Sequence, residues 1–128
     1  MQASMIFVGV AALNGLVATA CGAFGAHALR AQLSSEALET WQTAVQYQFV
    51  HALALLAIGI ACLHLDAAGL RWAGALMLVG ILLFSGSLYL LTLTEWRWPG
   101  PVTPVGGGLL ILAWAVLAFT ALRLAPGG

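Results

Sequence analysis

The chain has 128 residues, of which 62% are hydrophobic and 6% charged, and its formal net charge is zero. Soluble domains carry about a quarter charged residues, so this composition excludes water as the main solvent and places the chain in a lipid bilayer. No basic run is present to hold phosphate, which excludes a nucleic-acid partner bound by simple electrostatics.

The eight charges fall into groups: Arg30, Glu36 and Glu39; Asp66 and Arg71; Glu95 and Arg97; and Arg123 alone. Between them lie charge-free runs over 1–29, 40–65, 72–94 and 98–122. A hydrocarbon core of about 30 Å takes roughly 20 helical residues at about 1.5 Å each, so each run crosses once and none crosses twice. Barrel strands would be about 10 residues long with alternating polarity, and no segment alternates. An unpaired backbone amide is too costly in lipid. The expected fold is therefore all-α: an integral membrane four-helix bundle forming one domain over residues 1–128, with a short interfacial helix before span two.

Span one is expected near Met5–Ala28. Along it Ala11, Gly15, Ala18, Gly22 and Gly25 or Ala26 recur at steps of four and three, giving a face with almost no side chain on it. That is a seam for close helix approach, within the bundle or between copies. Ala18-Thr19-Ala20-Cys21 loosely resembles a lipoprotein processing site. Met1–Met5 lacks the basic start that a signal peptide needs, so an uncleaved span is expected. Cys21 and Cys62 read as small packing residues.

The first connection, Leu29–Thr43, is the longest. Ser35 is the expected N-cap with Glu36 in the first turn. Leu38, Trp41 and Val45 then recur at helical spacing, which predicts a short interfacial helix running into span two with Trp41 at headgroup depth. Span two, near Ala44–His64, carries Tyr47, Gln48 and His51 in one sector, with Gln46 pointing elsewhere.

Span three, near Trp72–Thr94, carries a stripe of Ser85, Tyr89 and Thr92, while Ser87 and Thr92 are expected to bond carbonyls of their own helix. Trp96 and Trp98 flank Arg97 as an interfacial anchor. Thr103 is expected to cap span four, Val105–Leu122, with Pro104 at the tolerated first position. Gly106–Gly108 are packing residues; a phosphate cradle would need a following Lys-Ser/Thr and a preceding strand.

Alternating span direction collects the polar groups at one membrane face. His27, Tyr47, Gln48, His51, Ser85 and Tyr89 form a candidate polar pocket there, whereas the opposite half holds little beyond Ser4 and His64, and Asn14 sits near mid-depth. His51, about two turns inside span two, is expected to bond Ser85 or Tyr89, or else a carbonyl near Gly22–Ala26, the glycines bringing span one close to its ring.

The segments GAFGAHAL (22–29), TAVQYQFVHALALL (43–56), FSGSLYLL (84–91) and TPVGGGLLILAW (103–114) resemble the signature segments of the domain-of-unknown-function family 423, small bacterial inner-membrane proteins similar to animal transmembrane protein 256. The resemblance covers nearly the whole chain, with Glu95–Pro101 as a departure. It implies a compact four-helix protein of the bacterial inner membrane and supplies no activity or catalytic residue.

Three classes of function are open. A structural or accessory protein, as a homo-oligomer or in a larger membrane complex, needs only small size, a small-residue seam and bare loops, and is the first expectation. A transporter or ligand-binding protein would use the polar pocket around His51. An enzyme or cofactor protein is not expected: there is no Ser/His/Asp set, paired carboxylates or CxxC, and His27 and His51 without a carboxylate or thiolate pair make a thin metal or haem site. No cofactor and no metal are expected. Slight basic bias puts both termini in the cytoplasm.

Overall fold

A computed structural model describes residues 2–127, with Ala26 described by its backbone alone. The protein is all-α, with α1 over Gln2–Ala28, α2 over Ser35–His64, α3 over Ala68–Leu93 and α4 over Val102–Leu124. All four helices are long and apolar enough to cross a membrane.

The helix ends follow local chemistry. Ser34, one residue before the expected cap, holds the start of α2 by accepting from the Ala37 amide at 3.1 Å, and Glu36 lies in the first turn where the helix dipole favours an acid. The expected interfacial helix is the first turns of α2 and not an element of its own, because no Gly or Pro interrupts residues 35–58. Trp41 turns inward from those turns and is buried against α1 and α3. At the other end of the bundle sequence, α4 begins at Val102, directly after Pro101. Pro104 falls inside the first turn, where a missing amide hydrogen leaves no bond unmade. Thr103 does not cap; its hydroxyl meets that of Ser87 on α3 and the Pro99 carbonyl.

Helix α2 packs against both α1 and α3, and α3 against α4. The contact faces repeat at about seven residues, the 3.5-residue period of left-handed helix pairs. On α1 the buried line is Ser4, Ala11, Ala18 and Gly25, with Asn14 between. On α2 it is Trp41, Gln48 and Leu55 alternating with Ala44, His51 and Ile58. Among the expected seam residues, Ala11, Ala18 and Gly25 lie on the buried line, while Gly15 and Gly22 lie at its edge. A β-carbon at Gly15 would meet nothing within 4 Å, and one at Gly22 would touch Val45 Cγ1 at 3.2 Å.

Two glycines set the closest crossings. A β-carbon on Gly59 would stand 3.0 Å from the Val8 amide nitrogen and 3.1 Å from the Ser4 carbonyl oxygen, so α1 and α2 meet backbone to backbone there. On α4, a β-carbon at Gly106 would run into the backbone nitrogen of Phe84, with the Phe84 Cα at 2.7 Å. Between these crossings lies the core of Leu55, Ile58, Met77, Ile81 and Leu110 with Ala11, Ala73 and Ala113. Trp96 and Trp98 stack with ring centres 6.1 Å apart and stay exposed, as an interfacial anchor requires.

Gly106→Leu and Gly59→Leu are therefore expected to force helices apart and to lower stability by more than the ~1–3 kcal/mol of ordinary overpacking, since backbone cannot yield as a side chain can. Gly15→Leu and Ala20→Leu should be tolerated. Thermal unfolding of the four variants in one detergent checks the ranking; a Gly106→Leu melting point equal to the parent's would contradict it.

Candidate functional site

Hydrogen bonds in the polar half start from the backbone of α1. Asn14 donates through Nδ2 to the Val10 carbonyl of its own helix at 3.0 Å. That bond fixes the amide so that Oδ1 faces α2, where Gln48 Nε2 donates to it at 3.1 Å. Gln48 Oε1 in turn accepts from the Tyr89 hydroxyl on α3 at 2.7 Å. One buried glutamine thus joins three helices through its two amide ends. A primary amide is suited to this task because it donates at one end and accepts at the other.

Two further bonds run from side chains to the backbone of a neighbouring helix. Ser85 on α3 donates to the Ala44 carbonyl on α2 at 2.8 Å. Trp41 on α2 donates through Nε1 to the Cys21 carbonyl on α1 at 3.0 Å, and its ring lies over Gly25, where a β-carbon would collide with it. Of the glycines before Arg30, Gly25 therefore receives the indole of Trp41 and Gly22 lies against Val45; neither receives the imidazole of His51. The Trp41 ring also meets Tyr89, with centres 4.7 Å apart, so the same tyrosine serves the amide chain and the aromatic contact.

His51 lies on a different side of α2. Its Nδ1 is 2.7 Å from the Tyr47 carbonyl, one turn earlier in the same helix. A carbonyl only accepts, so Nδ1 donates, and in the neutral form of the ring Nε2 is the acceptor. Ser85 and Tyr89 are engaged elsewhere, which removes both partners expected for this ring. It packs instead beside Tyr47, at 5.7 Å and nearly parallel, and against Trp114 of α4 at 5.9 Å, with Phe84 on the far side of Tyr47.

The six residues of the expected pocket are consequently divided. Gln48, Ser85 and Tyr89 border a cavity of about 280 Å³ together with Asn14 and the apolar Leu13 and Leu82. Tyr47 and His51 border another of about 290 Å³ with Gln46 and Val50. His27 lies exposed in the last turn of α1 and joins neither. Ser87 and Thr92 bond the Phe84 and Tyr89 carbonyls of their own helix. Asn14 and Trp114 were not read as members of a site. For Asn14 the signal was present: it falls three residues after Ala11 and four before Ala18, on the seam itself.

No group of three or more His, Cys, Asp or Glu stands close enough to hold a metal among the described residues. Such an arrangement can clamp helices and can offer a single imidazole nitrogen.

Fold and site together define a small polytopic membrane protein whose polar side chains run from helix to helix. The chain belongs to the family described as Protein of unknown function (DUF423), whose profile matches residues 21–107. It is 43% identical over 120 residues to a UPF0382 membrane protein of Staphylococcus epidermidis, covering 94% of this chain and 98% of that one. It is 42% identical over 120 residues to one of Staphylococcus aureus, with the same coverage, and 40% identical over 119 residues to the UPF0382 membrane protein YwdK of Bacillus subtilis, covering 92% and 97%. No solved structure matches. With four spans and membrane-protein relatives from bacteria, its place is the bacterial inner membrane.

Gln48→Leu is expected to destabilise the bundle by about 1–3 kcal/mol, because it leaves the Asn14 oxygen and the Tyr89 hydroxyl without a partner. Tyr89→Phe removes one interhelical bond and should cost about 0.6 kcal/mol. A double-mutant cycle on Gln48 and Tyr89, read by unfolding in detergent, checks both; strict additivity would mean the two side chains do not interact.

Proposed function

We propose that this is a structural or accessory protein of the membrane, one that holds a rigid helical surface against other membrane helices, either of a second copy or of a larger complex. The observation that carries the reading is the use of the polar groups. Every buried side-chain nitrogen and oxygen among the described residues has a partner, and the bonds of Asn14, Gln48, Ser85, Tyr89 and Trp41 join α1, α2 and α3. Polar groups in a pathway or catalytic pocket must exchange partners with a substrate, whereas these are committed to neighbouring helices. Large apolar side chains such as Leu13, Leu16, Ile111 and Phe119 face outward and meet either lipid or a partner helix.

A second reading, a ligand-binding membrane protein, is favoured by one feature. His51 Nε2 has no hydrogen-bond partner among the described residues, and its ring borders the cavity of about 290 Å³ beside Gln46 and Tyr47. An intramembrane imidazole of this kind is a candidate functional group, and its lone pair would take a ligand that brings a hydroxyl or amine donor.

The two readings separate in one set of measurements. Cross-linking in native membranes, followed by purification in mild detergent, is expected to recover the chain in a stoichiometric assembly with itself or another protein. His51→Leu should leave that assembly intact and lower stability by about 1 kcal/mol, the ordinary cost of a point substitution. A monomer in native membranes that binds an amphiphile, and loses it in His51→Leu, would reject the accessory role.

A further inference from the structure

A groove lies far from the polar half, between α3 and α4 at the membrane face that carries the termini. It has a volume of about 640 Å³ and is walled by Trp72 and Leu76 on one side and Leu112, Val116 and Phe119 on the other, with Arg123 at its end. The Thr120 hydroxyl is turned onto Gly69, which leaves the walls apolar. Thr120 seats against Gly69 at the floor of the groove, and the larger side chains of both helices line it.

Arg123 makes no ion pair among the described residues; its guanidinium lies over the Phe119 ring, 4.9 Å from the centre. The acid of the same face, Asp66, is taken by Arg71 at 2.7 Å. Glu36 and Glu39, in the first turns of α2, and Glu95, in the connection after α3, stand at the opposite face. A cation stacked on an aromatic ring keeps its N–H donors free, and at the rim of hydrocarbon it attracts an anion. From Leu112 to Arg123 the groove follows α4 for about 16 Å, close to the ~15 Å of one leaflet's hydrocarbon. Trp72 stands exposed beside it, the position of an interfacial anchor.

We infer that this groove is a binding site for an anionic phospholipid of the leaflet at the terminal face: one acyl chain lies between α3 and α4, and the phosphate bonds Arg123. A second copy is a poorer occupant. Symmetric pairing about an axis along the membrane normal would set another Arg123 at the same depth and supply no counter-charge. A lipid phosphate supplies it, and its acyl chain matches the apolar length.

Native mass spectrometry of the detergent-purified full chain tests the site, with phosphatidylglycerol and phosphatidylcholine of identical acyl chains added in turn. Phosphatidylglycerol should be retained about fivefold over phosphatidylcholine, the effect of one basic residue on an anionic headgroup. Arg123→Gln should bring the ratio close to one, and Arg97→Gln, at the opposite face, should leave it unchanged. Val116→Trp fills the groove and should reduce retention of both lipids. Parity in the parent protein, a ratio unchanged in Arg123→Gln, or a Leu112→Cys variant that cross-links to itself in bilayers in place of lipid retention would each overturn the assignment. Arg123 is exposed in the last turn of its helix, so the headgroup measurement stands whether or not Val116→Trp folds.

Discussion

Hydrocarbon offers helices no hydrophobic reason to associate, and this constraint governs the rest of the structure. With lipid tails as apolar as leucine, what remains is close packing and interhelical hydrogen bonding. The bundle divides these means by depth. In the half near the chain termini, contact is made by removing side chains: Gly59 lets α2 reach the backbone of α1, and Gly69 receives Thr120. In the other half the bonds of Gln48, Tyr89, Ser85 and Trp41 do the joining. Gly106 is the exception, a backbone crossing within the polar half, and it serves α4, which has no part in the Gln48 chain. Helix α4 needs it, because its hydroxyl contact with α3 is the Ser87–Thr103 pair.

Gln48 also explains why α2 is the centre of the bundle. A leucine there would pack, yet it would tolerate a slip of one turn against α1 or α3. An amide that must meet Asn14 on one side and Tyr89 on the other fixes both registers together, the best-attested use of a buried polar group. Trp41 adds a second constraint two turns away, since its indole fits only where Gly25 is bare and the Cys21 carbonyl accessible. Small residues on α1 and polar residues on α2 are thus complementary parts of one interface.

Much of this was legible in the sequence because the signals are long. Charge-free runs mark spans by length alone, and alternation of direction puts His27, Gln48 and Tyr89 at one face with no structural knowledge. What was not legible is angular. Tyr47, Gln48 and His51 share a sector at low resolution, but the buried face of α2 is wide enough that Gln48 turns to α1 and α3 while His51 turns to Trp114 of α4. The steps of four and three through Ala11, Gly15, Ala18, Gly22 and Gly25 already average about 3.5 residues; the structure keeps every seventh residue, Ser4, Ala11, Ala18 and Gly25, on the buried line and sets Asn14, not Gly15, between them. The partner of His51 was missed for another reason: a carbonyl one turn back is always within reach, so a histidine in a helix need not find a second helix at all.

The length of α2 bears on how the protein sits in the membrane. Thirty residues make about 45 Å of helix, well beyond a hydrocarbon core of about 30 Å. Tilt can absorb an excess only if the whole helix is apolar, and the first turns are not: Ser35, Glu36 and Glu39 are exposed, and Thr40 and Thr43 bond back to their own helix. Those turns therefore stand in the headgroup region, leaving Ala44–His64 to cross. Trp41 then enters the bundle at the boundary itself, where its N–H ties α2 to the Cys21 carbonyl of α1 while its ring lies against Tyr89. Inside the low-dielectric bundle below it, the Asn14–Gln48–Tyr89 bonds are electrostatically stronger than they would be in water, which holds the register of the three helices.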